Sequence, residues 1–213
     1  MRGIRFDALQ KVLFVGAHSD DIEIGCGGTV LKLVEENPGI EILWAVFSAE
    51  GGRRQEALRS AEAFLAGAKN PQVVVENFRS SYFPYQGEQI KDCFETLKPF
   101  RPDVVFTHYR EDRHQDHRVL SDLAWNTFRS HVILEYEIPK YDGDFGQPNF
   151  FVPLSEARCR RKAELVMEHF PSQAGKQWFT TDLFMATPRI RGMECDSPTR
   201  LAEAFYSRKL SLA

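Results

Sequence analysis

The sequence contains no long hydrophobic run. No apolar stretch approaches the roughly 20 residues that a membrane-spanning helix needs. The N-terminal residues MRGIRFDALQK carry Arg2, Arg5 and Asp7 among their apolar positions, which is not typical of a signal peptide. We therefore expect a cytoplasmic protein without a membrane span.

Cysteine and net positive charge are also scarce. The four cysteines, Cys26, Cys93, Cys159 and Cys195, are far apart, and none forms a C-x-x-C pair that would indicate a thiolate zinc site. Reduced thiols in a cytoplasmic protein are the simplest interpretation. Because 27 Lys and Arg side chains are balanced by 30 Asp and Glu side chains, the composition offers no basic surface for nucleic acid or an anionic membrane.

Internal repeats, low-complexity segments and linkers are absent too. The chain has 213 residues and a hydrophobic fraction of 43%, which is enough for one good core. We therefore predict a single domain that spans residues 1–213.

Short apolar strands alternate with helical periodicity over the first two thirds of the chain. We predict strands at residues 11–17, 40–47, 72–75, 103–107 and 132–138, with helices between them. This alternation is typical of a Rossmann-like α/β fold, in which a mainly parallel sheet has helices on both faces in three layers, α/β/α.

After Pro139 the alternation fails, and we expect an irregular C-terminal part. Ser155 can cap a further helix, and a helix over residues 178–185 would be interrupted at Pro188. The basic run RCRRK at residues 158–162 is most simply a solvated helix face.

Two polar clusters follow predicted strands. His18, Asp20 and Asp21 come directly after the first strand, and the sequence HQDH at residues 114–117 follows the fourth. Each cluster alone has an ordinary explanation as a solvated loop. Since ligands of open α/β sheets bind at the carboxyl ends of the strands, the joint pattern predicts that the two loops meet over one metal ion.

The residue types of these clusters suit a metal hydrolase. Catalytic zinc has three protein ligands, from His and carboxylate, and leaves one position for water. Three residues would supply such a set: His18, Asp21 and His117. Asp20 would remain to take a proton from the water, and His114 to face the reacting carbonyl. Asp116 could fix the tautomer of His114 and favour its charged form.

These residues resemble the LmbE-like, or PIG-L, family of zinc-dependent N-acetylglucosaminyl deacetylases. The family motif A-H-P-D-D corresponds to AHSDD at residues 17–21, and H-x-D-H corresponds to residues 114–117. Weaker similarities run along almost the whole chain, including R-x-x-E from Arg53. Ser19 stands where the family has proline, and the acidic residue that usually follows the second aspartate is displaced to Glu23.

The resemblance implies hydrolysis of an N-acetylglucosamine-type amino sugar to acetate and a free amine. It implies that zinc is bound by three residues: His18, Asp21 and His117. It also implies that Asp20 is the general base and that His114, tuned by Asp116, stabilises the oxyanion. Arg53 matches a family arginine near the substrate, although an ion pair with Glu56 on a solvated helix would also explain it.

We expect Zn²⁺, in a site of N and O ligands that also accepts Fe²⁺ or Co²⁺. We expect a small amino-sugar substrate, no nucleic acid and a homo-oligomer. One alternative is an amidase of the same mechanism that acts on a non-sugar or thiol-conjugate amide. The other is a Rossmann-like nucleotide-binding module without hydrolytic activity, for which GCGG at residues 25–28 is weak support.

Overall fold

Strands and helices alternate along the described part of the chain. The structure is a computed structural model that describes residues 9–211. Residues 1–8 and 212–213 lie outside the described residues. The prediction that the N-terminal segment is not a signal peptide concerns mainly residues 1–8, so it too falls outside the described part of the chain. The strands and α-helices are, in chain order, β1 (Lys11–His18), α1 (Asp21–Glu36), β2 (Glu41–Ser48), α2 (Arg53–Phe64), β3 (Gln72–Val75), α3 (Gly87–Leu97), β4 (Val104–His108), α4 (Gln115–Thr127), β5 (Val132–Tyr136), β6 (Phe150–Pro153), α5 (Glu156–His169), α6 (Thr181–Glu194) and β7 (Ala202–Ser207).

The seven strands form one sheet in the order β3-β2-β1-β4-β5-β7-β6. Strands β1 to β5 are parallel, and β7 is antiparallel to both β5 and β6. The chain builds β2 and β3 on one side of β1 and then places β4 on the other side, so the strand order reverses between β1 and β4. Ligands of open α/β sheets bind at the carboxyl ends of the strands at such a switch point.

Alternating side chains of the central strands build a core on each face of the sheet. In β1, Val12 and Phe14 belong to the apolar cluster that includes α1, α2, α5 and α6. Leu13 and Val15 belong to the cluster that includes α3 and α4. All four side chains are fully buried, as expected for a strand that is covered on both faces. The predicted mainly parallel, three-layer α/β fold is confirmed.

The C-terminal part is more regular than the sequence indicates. Ser155 caps α5 as predicted, because its Oγ accepts the N–H of Arg158 at 3.3 Å. Helix α6 continues through Pro188 instead of being interrupted there. Proline removes only the one helical hydrogen bond that would reach the Phe184 carbonyl, and Phe184 and Pro188 are both buried, so packing stabilises the helix across this position.

A buried ion pair holds a kink in α1. Cys26 has a non-helical φ of −144° and ψ of 18°. Lys162 Nζ donates to the Ile24 carbonyl and to Glu203 Oε1, both at 2.7 Å. The Glu203 carboxylate also accepts the backbone N–H groups of residues 28–29, at 2.9 and 2.6 Å. The ion pair therefore satisfies backbone groups on both sides of the kink.

The basic run on α5 is only partly solvated. Arg160 and Arg161 are exposed and form ion pairs with Glu156 and Glu164. Lys162, in contrast, is 3% exposed. The expectation of a solvated face is wrong for Lys162, because β7 covers it and supplies its carboxylate partner. Separately, no helix within residues 9–211 is long and apolar enough to cross a bilayer.

Candidate metal centre and active site

The two polar clusters meet at the carboxyl ends of β1 and β4. His18 is the last residue of β1, and α1 begins at Asp21. His108 ends β4, and His114 caps α4, where its Nδ1 accepts the N–H of Asp116 at 3.2 Å. Pairing of β1 with β4 therefore brings together side chains that are 98 positions apart, such as those of His18 and Asp116.

Three atoms from the two clusters form a small triangle. His18 Nδ1 and His117 Nε2 lie 3.2 and 3.4 Å from Asp21 Oδ2, respectively. The two imidazole nitrogens are 3.3 Å apart. Tetrahedral zinc with N and O ligands at about 2.0–2.1 Å would have its ligand atoms about 3.3–3.4 Å apart. In both donor chemistry and dimensions, the predicted set therefore fits one face of a zinc coordination tetrahedron.

Other imidazoles near the triangle are already engaged. Two further groups bring ligand atoms within 4.8 Å of one another: His18 with His114 and His117, and Asp21 with His108 and His117. His108 Nε2, however, accepts the N–H of Ala17 at 2.9 Å, and His114 Nδ1 is used to cap α4. The triangle is the combination whose nitrogens make no such backbone contact.

A carboxylate lies behind each histidine of the triangle. Asp116 Oδ2 is 3.2 Å from His18 Nε2, and Asp112 Oδ2 is 2.9 Å from His117 Nδ1. Such contacts hold the proton on the outer nitrogen, so the inner nitrogen can bind a metal.

The electrostatics of the triangle favour a cation. Burial alone would favour neutral Asp21, but the surrounding imidazoles, led by His117, hold its pKa well below the usual range. Burial also disfavours protonated His18, but Asp21 and Asp116 outweigh it and raise the pKa of His18 to about 10. The carboxylates thus stabilise positive charge at this point, and a bound dication would replace the proton.

Asp20 lies beside the triangle and has a different partner. Its Oδ1 accepts from Arg53 Nη2 at 2.8 Å. Burial raises the pKa of Asp20 against the lowering effect of the Arg53 guanidinium, so this carboxylate is a stronger base than an exposed one. Arg53 does not form the alternative ion pair with Glu56, because Glu56 binds the backbone and side chain of Ser172.

His114 and Asp116 are arranged differently from the expectation. The Asp116 carboxylate binds His18 and the N–H groups of Ser81 and Phe83, at 2.6 and 3.1 Å for the latter two, rather than His114. Burial and the charge of His117 lower the pKa of His114 to about 4. His114 is therefore neutral rather than charged, and its proton resides on Nε2 because Nδ1 is an acceptor.

Sequence reasoning missed Asp112 and Lys140. Lys140 Nζ lies 2.9 Å from the Asp112 oxygen that binds His117, and 2.6 Å from Asp144 Oδ1. Although Asp112 is buried, His117 and Lys140 hold its pKa well below the usual range. A carboxylate in the same loop as the H-x-D-H motif was a usable signal, since metal-binding histidines commonly contact one.

A cavity of about 290 Å³ opens beside the triangle. The predicted residues His18, Asp20, Asp21, Arg53, His114 and His117 line it. Residues of two later segments, 138–142 and 176–178, line it as well. Neither segment was assigned to the site from the sequence.

Two curated proteins are similar to this chain. It is 28% identical over 171 residues to the uncharacterized deacetylase YaiS of Escherichia coli (strain K12), which covers 74% of this chain and 89% of that protein. It is 26% identical over 208 residues to diacetylchitobiose deacetylase of Thermococcus kodakarensis, which covers 81% of this chain and 75% of that protein.

Solved structures share the fold. N,N'-diacetylchitobiose deacetylase from Pyrococcus horikoshii matches with a TM-score of 0.73 and 22% identity, over 95% of this chain and 85% of that one. GalB, the 4-carboxy-2-hydroxymuconate hydratase of Pseudomonas putida, matches with a TM-score of 0.70 and 16% identity, over 96% and 98%. At such identities the likeness establishes the fold, and the hydratase illustrates that one fold carries different reactions.

The sequence match that decides the family covers the candidate metal centre. The family model PIG-L, described as GlcNAc-PI de-N-acetylase, matches residues 13–128, which is more than half of the 213 residues and includes both polar clusters. The chain therefore belongs to the PIG-L family.

Proposed function

We propose that the protein is a zinc-dependent deacetylase that hydrolyses the N-acetyl group of an N-acetylglucosamine-type amino sugar to acetate and a free amine. The observation that carries this proposal is the triangle of His18, Asp21 and His117 with Asp20 beside it, all facing one cavity. Family membership and the relative named as a diacetylchitobiose deacetylase support the substrate class. Fe²⁺ and Co²⁺ suit the same ligands.

The first chemical step is attack of water on the acetyl carbonyl. The triangle would hold the zinc ion, which supplies polarisation of the carbonyl and a lower pKa for the attacking water. Asp20 takes the water proton, because burial makes it a stronger base and Arg53 fixes its Oδ1.

His114 stabilises the oxyanion that forms from the acetyl oxygen. Its Nδ1 is fixed at the start of α4, so Nε2–H is available as a neutral donor. One such donor is typically worth about 3 kcal/mol. Because neutral His114 is a very weak acid, Asp20 is the group that passes its proton to the leaving nitrogen.

The cavity suits a small substrate. Its volume of about 290 Å³ is at the lower end of the range for small-molecule sites, about 300–1,000 Å³. It can therefore enclose a single sugar ring around the acetamido group. We further propose that the protein acts as a homo-oligomer in the cytoplasm.

The nucleotide-binding alternative loses its support from the glycines. Residues 25–28 lie within α1 rather than in a phosphate-binding loop. A Cβ on Gly25 would lie 2.2 Å from Tyr136, and one on Gly27 would lie 2.7 Å from Phe64. These glycines are required for close packing of α1, which accounts for them without a nucleotide.

The test combines metal analysis with an assay of acetate release. Zinc-loaded protein is assayed with N-acetylglucosaminides, N,N'-diacetylchitobiose and N-acylated non-sugar amines. We expect Asp20→Asn to lower kcat by about 10²-fold or more, the scale for loss of a general base, while zinc content is unchanged. His117→Ala should lose zinc.

Asp122→Asn is the matched control, since Asp122 is exposed on α4 and does not line the cavity. It should keep wild-type activity. Full activity of Asp20→Asn would refute the role of Asp20. Hydrolysis of non-sugar amides without hydrolysis of any amino sugar would instead establish the amidase alternative.

A further inference from the structure

One of the three cations around the cavity has no carboxylate partner. Arg53 is bound to Asp20, and Lys140 is bound to Asp112 and Asp144. Lys176 also lines the cavity, but among the described residues no carboxylate forms an ion pair with it. Its ammonium group is therefore available to a ligand.

The backbone that carries Lys176 is fixed at both ends. Ser172 donates from its backbone N–H and from its hydroxyl to the buried Glu56, at 2.9 and 2.6 Å. Phe179 is buried in the core, and its N–H donates to the Lys176 carbonyl at 3.0 Å. The N–H of Lys176 donates to the Gln173 carbonyl at 2.9 Å. The segment thus presents Lys176 to the cavity from two anchored turns.

Trp178 forms part of the same wall. Lys176 Nζ lies 5.4 Å from the centroid of the Trp178 ring, and both residues line the cavity. An aromatic face suits the apolar face of a sugar ring, and an adjacent ammonium group suits an anionic substituent on that ring. Lys176 and Trp178 together therefore suit a sugar with an anionic substituent better than a neutral sugar.

The charged residues that line the cavity also favour an anionic ligand. Three carboxylates and three cations line the cavity: Asp20, Asp21, Asp142, Arg53, Lys140 and Lys176. Asp20 balances Arg53, and Asp112 and Asp144 balance Lys140, so among the described residues Lys176 is the lining cation whose charge is not balanced by an ion pair. An unbalanced ammonium group on a partly enclosed cavity attracts anions.

We propose that Lys176 is a specificity-determining residue that binds an acidic substituent, a phosphate or a carboxylate, on the N-acetylated amino sugar. This inference rests on the proposed deacetylase function. It narrows the substrate class from amino sugars in general to anionic ones.

The test compares anionic and neutral substrates in one assay. The anionic set is N-acetylglucosamine 1-phosphate, N-acetylglucosamine 6-phosphate and N-acetylmuramic acid, which separates phosphate from carboxylate. The neutral reference is methyl N-acetylglucosaminide. We expect at least one anionic substrate to have the higher kcat/KM. Lys176→Met should lower that value about tenfold, through KM and not kcat, as for loss of one charge-assisted hydrogen bond.

Four controls separate substrate recognition by Lys176 from an effect on the structure. Lys176→Met should leave kcat/KM for the neutral substrate unchanged, and Lys176→Arg should restore the preference. Lys69→Met removes an exposed lysine that does not line the cavity and should have no effect. High salt should reduce the preference of the wild type.

The two proposals fail in different ways. If methyl N-acetylglucosaminide is hydrolysed but no anionic substrate is preferred, or if the preference survives in Lys176→Met, the role of Lys176 is refuted and the deacetylase function stands. If no N-acetylated sugar is hydrolysed by the zinc-loaded protein, the deacetylase function and the inference are both refuted.

Discussion

Each histidine of the triangle depends on the carboxylate behind it. Asp116 holds His18 through Nε2, and Asp112 holds His117 through Nδ1. Without these contacts the imidazoles could rotate or carry the proton on the nitrogen that faces the metal. At the residue scale, the affinity of the proposed metal site should therefore depend on Asp112 and Asp116 as well as on the three ligands.

Asp112→Asn should weaken zinc binding about 10- to 100-fold, the usual cost of losing an outer-shell partner. The affinity is measured by competition with a chromogenic chelator. Asp144→Asn is the matched control, because Asp144 shares Lys140 with Asp112 but does not contact His117. Equal affinities for the two variants would contradict the role of Asp112.

The same carboxylate predicts a pH dependence of stability. His117 and Lys140 lower the pKa of Asp112 in the folded state below the value of about 3.9 in the unfolded chain. A lowered pKa contributes stability above pH 4 that is lost as the pH falls towards the folded value. For chelator-treated protein, the difference in unfolding free energy between wild type and Asp112→Asn should therefore be largest near pH 7 and shrink below pH 4.

Urea unfolding at pH 7, 5, 4 and 3 measures this difference. Metal must be absent, since zinc binding is itself pH-dependent. A difference that stays constant down to pH 3 would show that Asp112 does not titrate as described.

At the scale of the element, α1 is two short helices joined at a kink. Its first half begins with Asp21, and its second half begins after Cys26. The pair of Lys162 and Glu203 satisfies the backbone on both sides of the kink, so α5 and β7 determine the direction in which the first half points. The orientation of Asp21 thus depends on residues that are far away in the sequence.

Removing one member of this pair should destabilise the protein by about 3–5 kcal/mol, since a buried charge is left unpaired. Lys162→Met and Glu203→Gln should each have this effect, and the double variant should cost less than the sum. Urea unfolding measures all three. Arg161→Met, which breaks an exposed ion pair on the same helix, should cost less than about 1 kcal/mol. Additive single effects would contradict the coupling.

The sequence predicted those strands, helices and caps that are determined by neighbouring residues. Alternation of strands and helices through β5 and the cap at Ser155 follow from short-range periodicity. The burial of Lys162 could not be predicted, because its neighbours in RCRRK resemble a solvated helix face and its partner Glu203 lies on another element. Asp112 is a different case, because a carboxylate close to HQDH is a signal for a histidine partner, but the other charged residues of its loop also fit an ordinary solvated surface. Strands β6 and β7 have weak sequence signals, because β6 has only four residues and ends at Pro153, and β7 carries Glu203 among its apolar residues. Backbone pairing between the two strands stabilises them.

For the whole molecule, the proposed zinc site connects two halves of the sheet. His18 and Asp21 follow β1, and His117 follows β4, on either side of the switch point. Zinc that binds only the folded state should raise the unfolding free energy by about 4 kcal/mol at a free concentration of 1,000 times Kd. In a chain of this length that corresponds to an increase in Tm of about 8–16 °C.

Thermal unfolding with zinc and after chelation measures the effect. His117→Ala should show no shift, whereas His169→Ala, at the end of α5, should behave as wild type. A wild-type Tm that is unchanged by chelation, with zinc demonstrably removed, would exclude a metal bridge between the halves.

The lining of the cavity comes from different parts of the chain. The residues assigned to hydrolysis lie within 13–128, the span that the family model matches, whereas further lining residues come from 138–142 and 176–178. Substitution of Tyr141, Asp142, Lys176 or Trp178, with Lys140 kept as the partner of Asp112, can therefore redirect substrate choice while the residues assigned to hydrolysis are unchanged. For enzyme engineering, these four positions are the ones to randomise in a library that seeks new specificities.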